Sequence, residues 1–150
     1  MYKFHASLHA RPENAIPGMG HNFGGVKFAT LDIPPDEVAT PFAISFEQAV
    51  KNLSRLERMF IEGDGSFVWV SSQQNNTWQI DGNLYDRKDK LWYVDLKGTC
   101  PTAEWDRLLA AFGWPQTAVV FQVVQAAVFL AETEFRRLAE TMSNDEWQRQ

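Results

Sequence analysis

Asp81 and Asp95 are the residues of this 150-residue chain whose type and placement come closest to a catalytic pair. Trp78, Ile80 and Leu84 alternate with Gln79, Asp81, Asn83 and Tyr85, and Trp92, Val94 and Leu96 alternate with Tyr93, Asp95 and Lys97. A period of two is that of a half-buried strand, so both stretches read as strands with one apolar and one polar face. A hairpin closed through Arg87-Lys88-Asp89 sets Asp81 opposite Asp95, Asn83 opposite Tyr93 and Gln79 opposite Lys97. Facing carboxylates push one pKa upward, which suits one of them to general-base work with Tyr85 or Tyr93 as a donor. The plainer reading is an outer sheet face of mixed charge, with Lys97 diagonal to Asp81 and neutralising the pair. Asp81, Asn83, Tyr85, Tyr93, Asp95 and Lys97 are therefore candidate ligand-binding residues, and no residue is assigned a catalytic role.

The other reactive types are less suggestive. His5 and His9 have the i, i+4 spacing of a helical metal site, yet Tyr2, Phe4, Ala6 and Leu8 alternate with Lys3, His5, Ser7 and His9, which is a strand pattern. Four strand residues span roughly 13 Å, too far for one ion, so these histidines are expected to be solvated on a polar face and no metal is expected. Gly18, Gly20, Gly24 and Gly25 around His21 fit neither dinucleotide nor P-loop spacing and read as a loop. Cys100 precedes Pro101 at a helix start, but no histidine is near in sequence; a small buried side chain is the expectation. Nothing calls for a cofactor.

Composition narrows the partners. The formal net charge is −5 and no cluster of Lys and Arg occurs, which argues against nucleic acid and anionic membrane. A lone cysteine excludes an intramolecular disulfide and fits a reducing, cytoplasmic setting; the start Met1-Tyr2-Lys3-Phe4-His5 is unlike a signal peptide. Leu108 to Ala131 carries no charge and is long enough to cross a bilayer, but Gly113-Trp114-Pro115 and three glutamines interrupt it, so it reads as non-membrane. Small molecules and proteins remain as partners.

The elements that would position these residues are legible to different degrees. Residues 1–44 hold Pro12, Pro17, Pro34, Pro35 and Pro41 besides the four glycines, and read as a loop-rich arm with one or two short strands. Ser45 with Gln48 makes a capping box, and Phe46, Ala49, Val50, Leu53 and Leu56 continue a helix over about 46–57. Met59 to Glu62 and Ser66 to Val70 flank Gly63-Asp64-Gly65, a strong hairpin signal. Phe60 and Trp69 are assigned to one face of it, Met59, Ile61, Val68 and Val70 to the other. Neither face is polar, so either helices or the N-terminal arm are expected to cover both sides, or one side is a contact surface for another subunit. Further helices are expected at about 101–112 and 116–140, although Val119 to Val124 is β-branched, and 143–150 should fray.

The expected architecture is one α+β domain: a four-stranded antiparallel meander over about 58–97 with helices packed mainly on one face. Excess apolar surface without a convincing catalytic set favours a non-catalytic binding or protein-interaction module that forms a homodimer. The alternatives are a small hydrolase- or isomerase-like enzyme using an Asp base on the polar sheet face, and an acidic chaperone-like binder of one dedicated protein.

Overall fold

A capped helix and a run of turn-punctuated strands account for most of the chain in the computed structural model, which describes residues 1–72, 74 and 77–142. In chain order the strands are β1 (Tyr2–Ala10), β2 (Ile16–Pro17), β3 (His21–Phe23), β4 (Val26–Phe28) and β5 (Leu31–Asp32); α1 (Phe46–Ser54) follows. Then come β6 (Met59–Ile61), β7 (Ser66–Val70), β8 (Gln79–Arg87), β9 (Lys90–Cys100), α2 (Thr102–Ala110), β10 (Val119–Val123), β11 (Val128–Ala131) and α3 (Glu132–Thr141). The class is α+β. Among the described residues no helix is long and apolar enough to cross a membrane.

The expected meander is present as β6 to β9 but is too narrow a description. It forms one half of a nine-stranded antiparallel sheet ordered β2-β5-β11-β10-β1-β9-β8-β7-β6, with β3 and β4 as a separate hairpin. β1 holds the middle of that order, paired with β9 on one side and β10 on the other. The arm that reads as loop-rich therefore begins with the strand that joins the two halves.

The local signals for α1 hold. Ser45 Oγ accepts the Gln48 N–H at 3.0 Å, and Ala49 and Leu53 are buried. α2 likewise falls within the expected span. The long third helix does not form: residues 119–131 are a hairpin, and only Glu132–Thr141 is helical. Val119, Val120, Phe121 and Val123 favour the extended chain, and Ala127 takes the left-handed turn conformation (φ 55°) between the strands. With Val120 and Phe121 both fully buried, the strand is covered on both faces and loses the alternation that would have marked it. The tail 143–150, expected to fray, lies outside the described residues, as does part of the polar loop between β7 and β8.

The three helices of the described residues lie on one side of the sheet. Trp105 of α2 packs on Tyr2 and Phe4 with ring centroids 6.1 and 4.6 Å away, and Phe135 of α3 stacks on Phe121 at 4.1 Å. α1 covers the other half, against β6, β8 and β9. The inner layer comprises Tyr2, Phe4, Leu8, Phe67, Trp69, Ile80, Leu84, Val94 and Leu96, all buried. The registers Met59↔Trp69, Phe60↔Val68 and Ile61↔Phe67 correct the expected faces of the first hairpin: Trp69 shares the inner face with Met59 and Ile61, while Phe60 and Val68 point outward with Val70.

Candidate functional site

Strand pairing arranges the helix-free face as rows of side chains running across the sheet. One row reads Val68, Asp81, Lys97, His5; the next reads Ser66, Asn83, Asp95, Ser7, Gln122, Phe129; a third reads Tyr85, Tyr93, His9, Val120. The expected opposition of Asp81 and Asp95 is corrected: Asp81 faces Lys97, Asn83 faces Asp95, and Tyr85 faces Tyr93. Two local features move the register. The turn contains only Lys88 and Asp89, both with positive φ (51° and 68°), and an irregularity beside Tyr85 and Asp86 places Trp92 as an extra residue in β9. Such paired positive φ angles are those of a two-residue hairpin turn, and a bulge shifts every pair beyond it by one position. The carboxylates are separated, and a proton-sharing Asp pair does not exist here.

What the face brings together is an aromatic row with polar neighbours. Tyr85 and Tyr93 stack with centroids 4.5 Å apart, and His9 stacks on Tyr93 at 5.4 Å. Phe129 meets His9 edge-on at 5.6 Å. His9 is 7% exposed and Ser7 3%, and the Ser7 hydroxyl lies 2.9 Å from His9 Nε2. His9 is thus not the solvated strand histidine that its sequence neighbourhood implies. Burial pushes its pKa down to about 4, because an imidazolium would lose its hydration there. At neutral pH the ring is uncharged.

Asp95 sits in the middle of this group. Burial first, then the nearby Asp95 charge, hold the Tyr85 and Tyr93 phenols above their ordinary range, so both keep their protons and remain hydrogen-bond donors. His5, in the neighbouring row, is held below its usual value by burial and by Lys97, with Asp95 partly opposing. Asp81 is exposed, takes the Gln79 Nε2–H at 2.9 Å and faces Lys97, which suits a solvated surface more than an acid-base site.

All six sequence candidates lie on this face: Asn83, Tyr85, Tyr93 and Asp95 form one cluster, and Asp81 and Lys97 flank it. Ser7, His9, Gln122 and Phe129 were missed, since they arrive from β1, β10 and β11 through pairings far apart in sequence. The alternation of residues 2–8 was the available signal for Ser7 and His9. It says that they share a face, and cannot say which strands lie beside it.

The other reactive types are placed elsewhere. Cys100 is fully buried, and burial raises its thiol to about 12, which removes thiolate chemistry at neutral pH. The glycine-rich segment closes on itself as the β3–β4 hairpin, with the Gly20 N–H donated to Thr30 Oγ1 rather than left open as an anion cradle. Among the described residues no three His, Cys, Asp or Glu side chains converge as metal ligands.

A surface groove of about 500 Å³ lies apart from this cluster, at the β6 end of the sheet, lined by Ser54, Met59, Ile61, Phe67 and Val68 among others. Phe60, also part of its lining, is 62% exposed. No protein-family model, no curated protein and no solved structure matches this chain.

Proposed function

We propose that the chain is a non-catalytic binding module that works as a homodimer and offers the helix-free face of its sheet to a protein partner. The observation that carries this reading is the half-buried stacked pair Tyr85 and Tyr93 with Asn83 and Asp95 beside it and the buried His9 and Ser7 supporting it, on the face that none of the helices among the described residues covers. Stacked rings give a rigid platform that loses little side-chain entropy on binding, while phenols and amides set orientation; tyrosine is enriched in protein interfaces for that reason. The protonated tyrosines keep the platform uncharged apart from Asp95, which limits the desolvation that a partner must overcome. The exposed Phe60 with Val68 and Val70 beside it supports a second apolar contact, and self-association is its simplest use. Light scattering at micromolar concentration tests the homodimer: with a chain of 17.2 kDa the expected mass is that of two chains, and a one-chain mass removes it.

A second reading, a small enzyme, draws support from Asp95, half-buried and in contact with the Tyr85 hydroxyl. Carboxylate and phenol would then act as base and donor. Against it, Asp81 faces Lys97 rather than Asp95, so the second carboxylate of the expected pair is not opposite the first.

A further inference from the structure

We infer that two copies of this chain join edge to edge through β6, extending both sheets into one continuous sheet about a two-fold axis at Phe60. This rests on the homodimer reading above and specifies where the dimer forms. The two edges of the sheet differ. One ends at β2, where Pro17 has no N–H to donate and so blunts the edge. The other ends at β6, whose residues Met59, Phe60 and Ile61 include neither proline nor a charge.

The hydrogen-bond parity of β6 is explicit. Glu62 donates its N–H to Ser66 O at 2.9 Å, and Val70 donates to Arg58 O at 3.4 Å, so residues 58, 60 and 62 turn their backbone groups toward β7. Met59 and Ile61 therefore turn theirs outward. The Met59 N–H is taken by Leu56 O at 3.2 Å, which leaves the Ile61 N–H and the Met59 and Ile61 carbonyls at the edge. An antiparallel second copy centred on Phe60 uses these groups, because each Ile61 N–H then meets the Met59 carbonyl of the other chain.

The side chains choose a second copy over an unrelated strand. Arg58-Met59-Phe60-Ile61-Glu62 reads as cation, three apolar residues, anion, and this order is its own complement when reversed. In the two-fold arrangement Met59 lies beside Ile61, the two Phe60 rings meet on the outer face, continuing the Val68 and Val70 strip, and the Arg58 end of each β6, where the backbone turns left-handed (φ 63°), lies beside the Glu62 end of the other. Neither Arg58 nor Glu62 enters an ion pair among the described residues, and Arg58 uses Nε toward Ser71 O at 3.0 Å, leaving its terminal nitrogens for a carboxylate.

The test is a cysteine at the axis. Residues facing each other in a non-hydrogen-bonded antiparallel pair have Cα atoms about 4.5 Å apart, within disulfide range. Under oxidised glutathione, Phe60→Cys should give mostly a disulfide-linked dimer, while Val26→Cys, exposed on the β3–β4 hairpin, and the unaltered chain with its buried Cys100 stay unlinked. Phe60→Glu should raise the dimer dissociation constant at least about tenfold through facing like charges, with an unchanged far-UV spectrum. A two-chain mass without cross-linking at residue 60 overturns the edge pairing and leaves the homodimer standing; a one-chain mass for the unaltered protein overturns both.

Discussion

The Ser7 hydroxyl lies 2.9 Å from His9 Nε2 on the central strand, and the His9 ring stacks on Tyr93 of the neighbouring strand at 5.4 Å. That contact joins the N-terminal strand to the meander on the outer face. Its ionisation has a calculable effect. The folded pKa of His9, about 4, lies below its unfolded value near 6.5, so the unfolded chain binds the proton first as pH falls. Stability from this group is full above about pH 6.5 and is lost progressively down to about pH 4, by roughly 3 kcal/mol in all. Urea denaturation between pH 7.5 and 4.5 should show the decline, and His9→Gln should flatten it. An equally steep decline in the variant would assign the pH dependence to other groups.

Tyr93 is stacked on both sides, by Tyr85 at 4.5 Å and by His9. Aromatic pairs are worth about 0.5–1.5 kcal/mol each beyond area, so Tyr93→Ala should cost about 2–3 kcal/mol by thermal or chemical unfolding. Tyr93→Phe should cost under about 1 kcal/mol, since it keeps both stacks. If the two variants were equally destabilised, the hydroxyl rather than the ring would be what matters.

Arg136 ties α3 to α2. It is paired with Asp106 at 2.6 Å and with Glu132, and its guanidinium lies over the rings of Trp114 and Tyr2 at 5.2 and 5.9 Å. Its side chain is 16% exposed, so removing it leaves the Glu132 carboxylate, itself 19% exposed, without its partner and uncovers two rings, while Asp106, 47% exposed, stays solvated. Arg136→Ala should cost about 3 kcal/mol. Arg107→Ala, which loses only an exposed pair with Glu104, should cost under about 1 kcal/mol by the same assay.

Gly98 sits in β9 at φ 147°, where an added Cβ would meet Gln79 O at 2.0 Å and Ile80 Cα at 2.9 Å. Both are backbone atoms of β8, and neither can yield without moving the strand. Gly98→Ala should destabilise by about 3 kcal/mol, read as a fall in the urea midpoint. At Gly82 the obstacle is the Phe67 ring, so Gly82→Ala should displace Phe67 and shift its ring signals in NMR spectra. Unchanged ring shifts there would contradict the packing.

Cys100 offers a simple check on burial. With a thiol near pKa 12 and no exposed surface, it should react with a thiol reagent at pH 8 only as fast as the chain opens, and at once in denaturant. Immediate reaction of the folded protein would place it at the surface.

Legibility in the sequence followed the range of the interactions. Ser45 with Gln48 announced α1 because a cap is made within four residues, and Gly63-Asp64-Gly65 announced the first hairpin because the turn itself demands a positive φ, taken by Gly65 (φ 96°). The polar row Asn83, Tyr85, Tyr93 and Asp95 was legible from alternation alone. Its pairing was not, since one extra residue at Trp92 moves the partners without altering the alternation on the far side of the bulge. Likewise Met59 and Ile61 were set on the wrong face relative to Trp69, as a hairpin register decides that and no single strand does.

By itself, then, the sequence determined the helix at Phe46, the strands of the meander, the α+β class and the polar character of one face, all of which follow from caps, turns and period-two patterning. Only the tertiary structure decided that Tyr2–Ala10 is the central strand, that Val119–Ala131 is a hairpin and that Ser7 and His9 stand beside Tyr93 and Asp95. Those outcomes depend on which strands lie side by side across long stretches of chain. A strand buried on both faces, such as Val119–Val123, carries no alternation to show its period, and a pairing as distant in sequence as Ser7 with Gln122 or His9 with Tyr93 leaves no mark on the residues near either of them.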